Sequence, residues 1–159
     1  MTRAYVGLGS NIGEPRRQLQ AAMKELDELP GTRAIAASAL YRSAPLGYLE
    51  QPEFLNAVVE LETQLTPEAL LDGLQAIEKG HGRERPFAGA PRTLDLDLLL
   101  YGDATLATPR LTLPHPRMHE RAFVLKPLAE IAPQATIPGR GTARELLAAC
   151  EGQKAERID

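Results

Sequence analysis

The sequence points to an α+β fold in which two helices are set among four strands, in the order β-α-β-β-α-β. Three observations carry this. Apolar residues recur at helical spacing twice, over 19–26 and 70–77. Runs of alternating or continuous apolar residues flank each stripe. Pro30-Gly31 and Gly80-His81-Gly82 stop the two helices.

Taken in order, residues 3–9 read as the first strand. Gly7-x-Gly9-Ser10-Asn11-x-Gly13 then reads as a turn into a helix. It is a poor match to a dinucleotide-binding loop, because the third glycine falls one residue late. Pro15 sits near the helix start, and Leu19, Ala22, Met23 and Leu26 form its stripe. Residues 33–42 alternate, with Ile35, Ala37, Ala39 and Tyr41 expected on one face of a single strand. A Pro/Gly-rich loop follows at 43–53, and a strand at 54–63. Thr66 is the expected cap of a second helix, with Pro67 at its first position and Leu70, Leu71, Leu74 and Ile77 as its stripe. Residues 83–91 read as a loop. A strand over residues 91–101 closes the unit, with Leu94, Leu96, Leu98 and Leu100 expected on one face. That order is the ferredoxin-like split unit, an antiparallel sheet with two helices packed on it. The rest is a C-terminal elaboration: a hairpin turn at Gly102-Asp103, an irregular stretch over 108–117, a helix over 119–131 and a short helix over 143–150 capped by Thr142.

At 159 residues, one domain over 1–159 is the expectation. No apolar run approaches the ~20 residues of a membrane span. The single Cys150 rules out an intrachain disulfide and suits a reducing cytoplasm. The net charge of −3 argues against generic nucleic-acid binding. Its distribution is informative. Residues 79–92 and 110–126 each carry a net +3, so the remainder carries −9. Two basic segments thus bracket the Asp95/Asp97 strand in an otherwise acidic chain.

Asp95 and Asp97 lie two apart on a strand and therefore on one face. Such a pair is either a solvated strand face or a cation site. Two like charges side by side cost free energy unless a cation neutralises them. Oxygen-only ligands suit Mg²⁺, which binds one or two carboxylates together with substrate phosphates. The basic flanks, Arg92 among them, favour a magnesium-nucleotide site.

The segments GSN at 9–11, SAPLG at 43–47, QPEFLNAV at 51–58, GRER at 82–85, PRTLDLDLLLYG at 91–102 and LTLPHPRMHERAFVLKPLAEIAP at 111–133 form a series. It resembles the 6-hydroxymethyl-7,8-dihydropterin pyrophosphokinase family of folate biosynthesis, over about residues 2–138. The resemblance implies that ATP gives its β,γ-diphosphate to the pterin's hydroxymethyl oxygen and that AMP leaves. Two Mg²⁺ ions are expected, held by Asp95 and Asp97, one near the nucleophile and one near the leaving group. Arg83 and Arg92 would contact the triphosphate as catalytic groups, their guanidinium forks matching phosphate oxygens. Gln75, Glu78, Arg85, Arg110, Thr112, His115 and Arg121 are the implied ATP-binding residues.

The pterin is flat, with a donor/acceptor edge. By resemblance Phe54 and Phe123 stack on it and Asn56 pairs with its edge, while Ser43, Ala44 and Leu46 supply backbone groups and wall. The loops 43–53 and 80–91 are expected to close over the substrates. Some members carry a tryptophan just before PRTLDLD. This chain has none, and Phe87 stands in that stretch. ATP and the pterin are the expected partners of a cytoplasmic monomer, with no nucleic acid, membrane or fused folate-pathway domain. Two other readings stay open: an ordinary kinase releasing ADP, and a binding module for nucleotide or RNA without chemistry.

Overall fold

The first strand, β1 (Thr2–Ser10), runs through the middle of a six-stranded sheet in the computed structural model, which describes residues 1–44, 52–82 and 94–158. It is followed by α1 (Pro15–Asp27), whose first position Pro15 fills without sacrificing a backbone hydrogen bond. Next come β2 (Thr32–Ala37), β3 (Tyr41–Ser43) and the long β4 (Phe54–Thr63). Thr66 caps α2 (Pro67–Gly80) as expected, its hydroxyl accepting from the Ala69 amide at 3.2 Å. β5 (Asp95–Tyr101) then takes the sheet edge beside β1. Every strand pair in this sheet is antiparallel, and the spatial order is β5-β1-β4-β3, with β2 also on β4.

The C-terminal third consists of the short hairpin β6 (Leu106–Ala107) and β7 (Thr112–Leu113), a 3-10 turn at Met118–Glu120, and α3 (Ala122–Ile131). A small hairpin, β8 (Thr136–Ile137) and β9 (Gly141–Thr142), leads into α4 (Ala143–Ala148). β10 (Ala155–Arg157) finally adds a strand beside β3.

The sheet is covered on both faces. Leu19, Ala22 and Leu26 of α1 and Leu70, Leu74 and Ile77 of α2 pack on Val6, Leu8, Val59, Leu61, Leu96 and Leu98. On the opposite face Val124, Leu125 and Leu128 of α3 pack on Tyr5, Val58, Leu99 and Leu100. The elaboration is thus a third layer.

Several expectations are corrected. β1 continues through Gly7 and Gly9 to Ser10, so those two glycines lie inside a strand; the turn begins later, where Gly13 adopts φ 71°. The strand expected over 33–42 is broken at Ser38–Leu40. The Ser38 hydroxyl accepts from the Val58 amide there, and the Ala39 amide donates to the Glu130 carboxylate. As a result Ala37 pairs opposite Val59, on the α1 face, whereas Tyr41 pairs opposite Asn56, on the α3 face. A bulge in β5 pairs Tyr5 with Leu100 but Val6 with Leu98, which moves Leu100 onto the α3 face, away from Leu94, Leu96 and Leu98. Gly102-Asp103 is a turn without a hairpin, because β6 pairs with β7, and the stretch 108–117 contains β7. The helix expected over 119–131 is interrupted at Arg121, which is extended. No helix among the described residues is long and apolar enough to cross a membrane.

Candidate functional site

Alternation along β1 places Gly7 and Gly9 on the α3 face, opposite Asp97 and Asp95 of β5 respectively. On its other side Gly9 lies opposite Asn56 of β4. A methyl at Gly9 would sit 3.3 Å from Asn56 Nδ2, and one at Gly7 3.4 Å from the Leu99 side chain. The missing side chains leave a floor between the carboxylates and the amide, and a cleft of ≈ 110 Å³ opens over it. Strand period alone therefore brings Asp95, Asp97 and Asn56 to one side of the sheet.

Phe54, two residues before Asn56, shares its face and lines the same cleft, as do Ser43 and Ala44 from the end of β3. The Ser43 hydroxyl donates to Asn56 Oδ1 at 2.5 Å, and both side chains are buried. This orients the amide. Its Nδ2 lies on the Gly9 side, and Oδ1 retains a second lone pair, so Asn56 presents a donor and an acceptor together. The wall over the sheet comes from the start of α3, where Arg121 and Phe123 line the cleft. The Arg121 guanidinium lies 5.5 Å from the centre of the Phe123 ring, a cation–π arrangement.

His115 sits beside this wall. Its backbone amide donates to the Leu99 carbonyl at 2.9 Å, and its Nδ1 accepts from the Arg117 amide at 3.2 Å. Burial, reinforced by the Arg121 charge and opposed by Asp95, pulls its pKa down to about 4. The ring is therefore neutral at pH 7. With Nδ1 accepting, the proton resides on Nε2, which is a hydrogen-bond donor without a full charge.

The other nucleotide candidates lie along α2. Arg110, in the turn between β6 and β7, donates to Gln75 Oε1 at 3.1 Å and pairs with Asp72, which raises its pKa. Gln75 and Arg110 are thus brought together, and Thr112 follows, exposed, on β7. Glu78 is buried, and its carboxylate accepts from the Leu96 amide at 2.8 Å, satisfying an outward-facing donor of the edge strand β5. Leu46, Arg83, Arg85, Arg92 and Phe87 lie outside the described residues, as does most of both expected closing loops.

Sequence reasoning passed over Gly7 and Gly9 as floor residues. The signal was their i,i+2 spacing, the same spacing that marked Asp95 and Asp97. Among the described residues no third Asp, Glu, His or Cys joins the carboxylate pair. Two hard oxygen donors on an open floor fit a cation that takes its remaining ligands from water and phosphate, as Mg²⁺ does.

Residues 5–133 match the model of the family described as 7,8-dihydro-6-hydroxymethylpterin-pyrophosphokinase (HPPK). A 2-amino-4-hydroxy-6-hydroxymethyldihydropteridine pyrophosphokinase of Pseudomonas aeruginosa is 53% identical over 156 residues, 98% of this chain and 96% of that one. One of Methylorubrum extorquens is 48% identical over 159 residues, spanning 100% of both. Among solved structures, Plasmodium falciparum HPPK-DHPS wild type with pteroate superposes with a TM-score of 0.73 at 15% identity. The match covers 93% of this chain and 42% of that longer one, and it supports the fold.

Proposed function

The chain belongs to the 7,8-dihydro-6-hydroxymethylpterin-pyrophosphokinase family, and from that premise we propose how its residues divide the work. The reaction is ATP-dependent transfer of a diphosphate to the hydroxymethyl group of 6-hydroxymethyl-7,8-dihydropterin, a step of folate biosynthesis. The hydroxymethyl oxygen gives up its proton to solvent and bonds to the β-phosphorus, the bond from that phosphorus to the α-phosphate oxygen breaks, and AMP leaves. One observation carries the assignment of residues: a single cleft is lined by the Asp95/Asp97 pair and by Asn56, Phe54 and Phe123.

In this reading the pterin lies between Phe54 and Phe123, and Asn56, oriented by Ser43, pairs with its polar edge. Ser43 and Ala44 complete the wall, and Leu46 is assigned to the pterin by resemblance alone. Asp95 and Asp97 hold two Mg²⁺ ions, which supply positive charge to the polyphosphate when bound. Arg121 and the neutral Nε2–H of His115 face the phosphates, while Gln75, Glu78, Arg110 and Thr112 serve the nucleoside end. Arg83, Arg85 and Arg92 contribute further charge from the sequence just before β5. Catalysis then rests on positioning and on charge aimed at the transferred group.

The strand order supports reading the core as ferredoxin-like. The resemblance supports one pyrophosphokinase domain over residues 1–159 that works in the cytoplasm as a monomer. Incubating the chain with Mg²⁺-ATP and the pterin, then resolving the nucleotides, is the direct test. AMP formed only when pterin is present is the expected result. ADP would indicate an ordinary kinase, and unconsumed ATP a binding module. Replacing Asn56 by Ala should raise the pterin KM with little change in that for ATP; equal effects on both would remove Asn56 from the pterin edge.

A further inference from the structure

The chain beyond residue 133 lies outside the family match and carries no motif, yet it reaches both walls of the cleft. After α4, Gly152 takes φ 95° in a turn, a conformation that favours glycine. The turn leaves Gln153 beside the start of α3. Gln153 Oε1 accepts from the Ala122 amide at 2.9 Å, and Nε2 donates to the Glu120 carbonyl at 2.8 Å. These two groups flank Arg121 directly.

Arg121 is the break between the 3-10 turn and α3. It holds φ −117°, ψ 108°, and its own side chain does not cap the helix. The Ala122 amide is one of the four donors that a helix start leaves without an internal partner. Here the partner comes from 31 residues downstream. Arg121's own backbone groups bond locally, its amide to the Met118 carbonyl and its carbonyl to the Val124 and Leu125 amides, and one distant side-chain amide adds a clamp on the chain immediately before and after it. The extended conformation of Arg121 places the guanidinium over Phe123 and both side chains on the cleft. The same tail braces the opposite wall. Ala155 pairs with Ser43, Lys126 Nζ donates to the Ala155 carbonyl at 2.6 Å, and Lys154 pairs with Glu53, next to Phe54.

We propose that Gln153 is a positioning residue for diphosphate transfer, clamping the 120–122 backbone so that Arg121 and Phe123 meet the substrates. The inference rests on the assignment of Arg121 and Phe123 to the substrate site. Gln153→Ala should lower kcat/KM about tenfold, with KM rising for both substrates and Tm moving by only a few degrees. Gln153→Glu, which keeps an acceptor for the Ala122 amide, should recover part of that loss. In an Arg121→Ala background, adding Gln153→Ala should cost clearly less than tenfold, because one of the two positioned groups is already gone and only Phe123 is left to misplace. An unchanged kcat/KM in Gln153→Ala, or a full tenfold loss added on top of Arg121→Ala, overturns the inference while leaving the site assignment intact. Full activity in Arg121→Ala removes the site assignment itself, and this inference with it.

Discussion

The two faces of the sheet are made by the same strands and differ in what every second residue does. Toward α1 and α2, β1 presents Ala4, Val6 and Leu8, β4 presents Ala57, Val59 and Leu61, and all are buried. Toward α3, β1 presents Tyr5, Gly7 and Gly9, while β4 presents Asn56, Val58 and Glu60. At one end that face is closed: Tyr5 donates to the buried Glu60 carboxylate at 2.6 Å, and Arg3 reaches the same oxygen at 2.9 Å. At the other end the glycines leave it open. Strand alternation therefore separates the packed face from the cleft without separating them in sequence. A residue that holds the fold and a residue that lines the cleft are neighbours in the chain.

The comparison can be broken most severely at the open end. Asp97→Ala should lower kcat about 10³-fold, roughly 4 kcal/mol of transition-state stabilisation. Its melting temperature should move by only a few degrees, because the loss of a carboxylate also relieves repulsion from Asp95. Steady-state kinetics beside a thermal melt check both halves. A smaller but still large effect of the opposite kind is expected from Leu74→Ala. Loss of about 3 kcal/mol in urea denaturation should accompany an unchanged kcat/KM per folded molecule. If Leu74→Ala altered the pterin KM, the two faces would not be independent.

Gly9→Ala comes next, because its methyl would crowd the Asn56 amide from 3.3 Å. About a tenfold rise in the pterin KM, near 1.4 kcal/mol, is expected with little loss of stability. The smallest effect concerns His115. The unfolded ring takes up a proton near its ordinary pKa of 6.5, and the folded ring only near 4. Between those values the unfolded chain binds more protons, so this ring's contribution to stability falls as pH drops from 6.5 to 4. In His115→Asn the urea midpoint should depend less steeply on pH across that window. An identical slope would show that the ring is not held neutral.

Features encoded by local chemistry were legible in the sequence. Thr66-Pro67 announced α2 because a cap and a first-turn proline act within a few residues. The Asp95/Asp97 face followed from strand period alone. Features set by distant partners were not legible. Gly7 and Gly9 look like a turn until β5 and β4 supply the carboxylates and the amide across from them. The break in 33–42 depends on Glu130 of α3, and the shift of Leu100 on a bulge opposite Tyr5 and Val6. The interruption at Arg121 is bracketed by hydrogen bonds from Gln153, whose exposed amide in a polar tail carries no periodic signal. The basic flanks raised the expectation of an anionic ligand, but the partners of Arg110 on α2 could be read only in three dimensions.

The placement of β10 sets an order of assembly. Apart from Ile158 at its margin, the core beneath α1 and α2 draws on residues 4–113, whereas the core beneath α3 draws on residues as late as Ala155. Synthesis delivers the N-terminal residues first. The scaffold can therefore close while the last strand is still being made, and Ser43 gains its outer neighbour only when Ala155 arrives. Along the chain the scaffold thus precedes the brace: without β10 the α1/α2 core is still complete, while the edge of β3 at Ser43 stands uncovered.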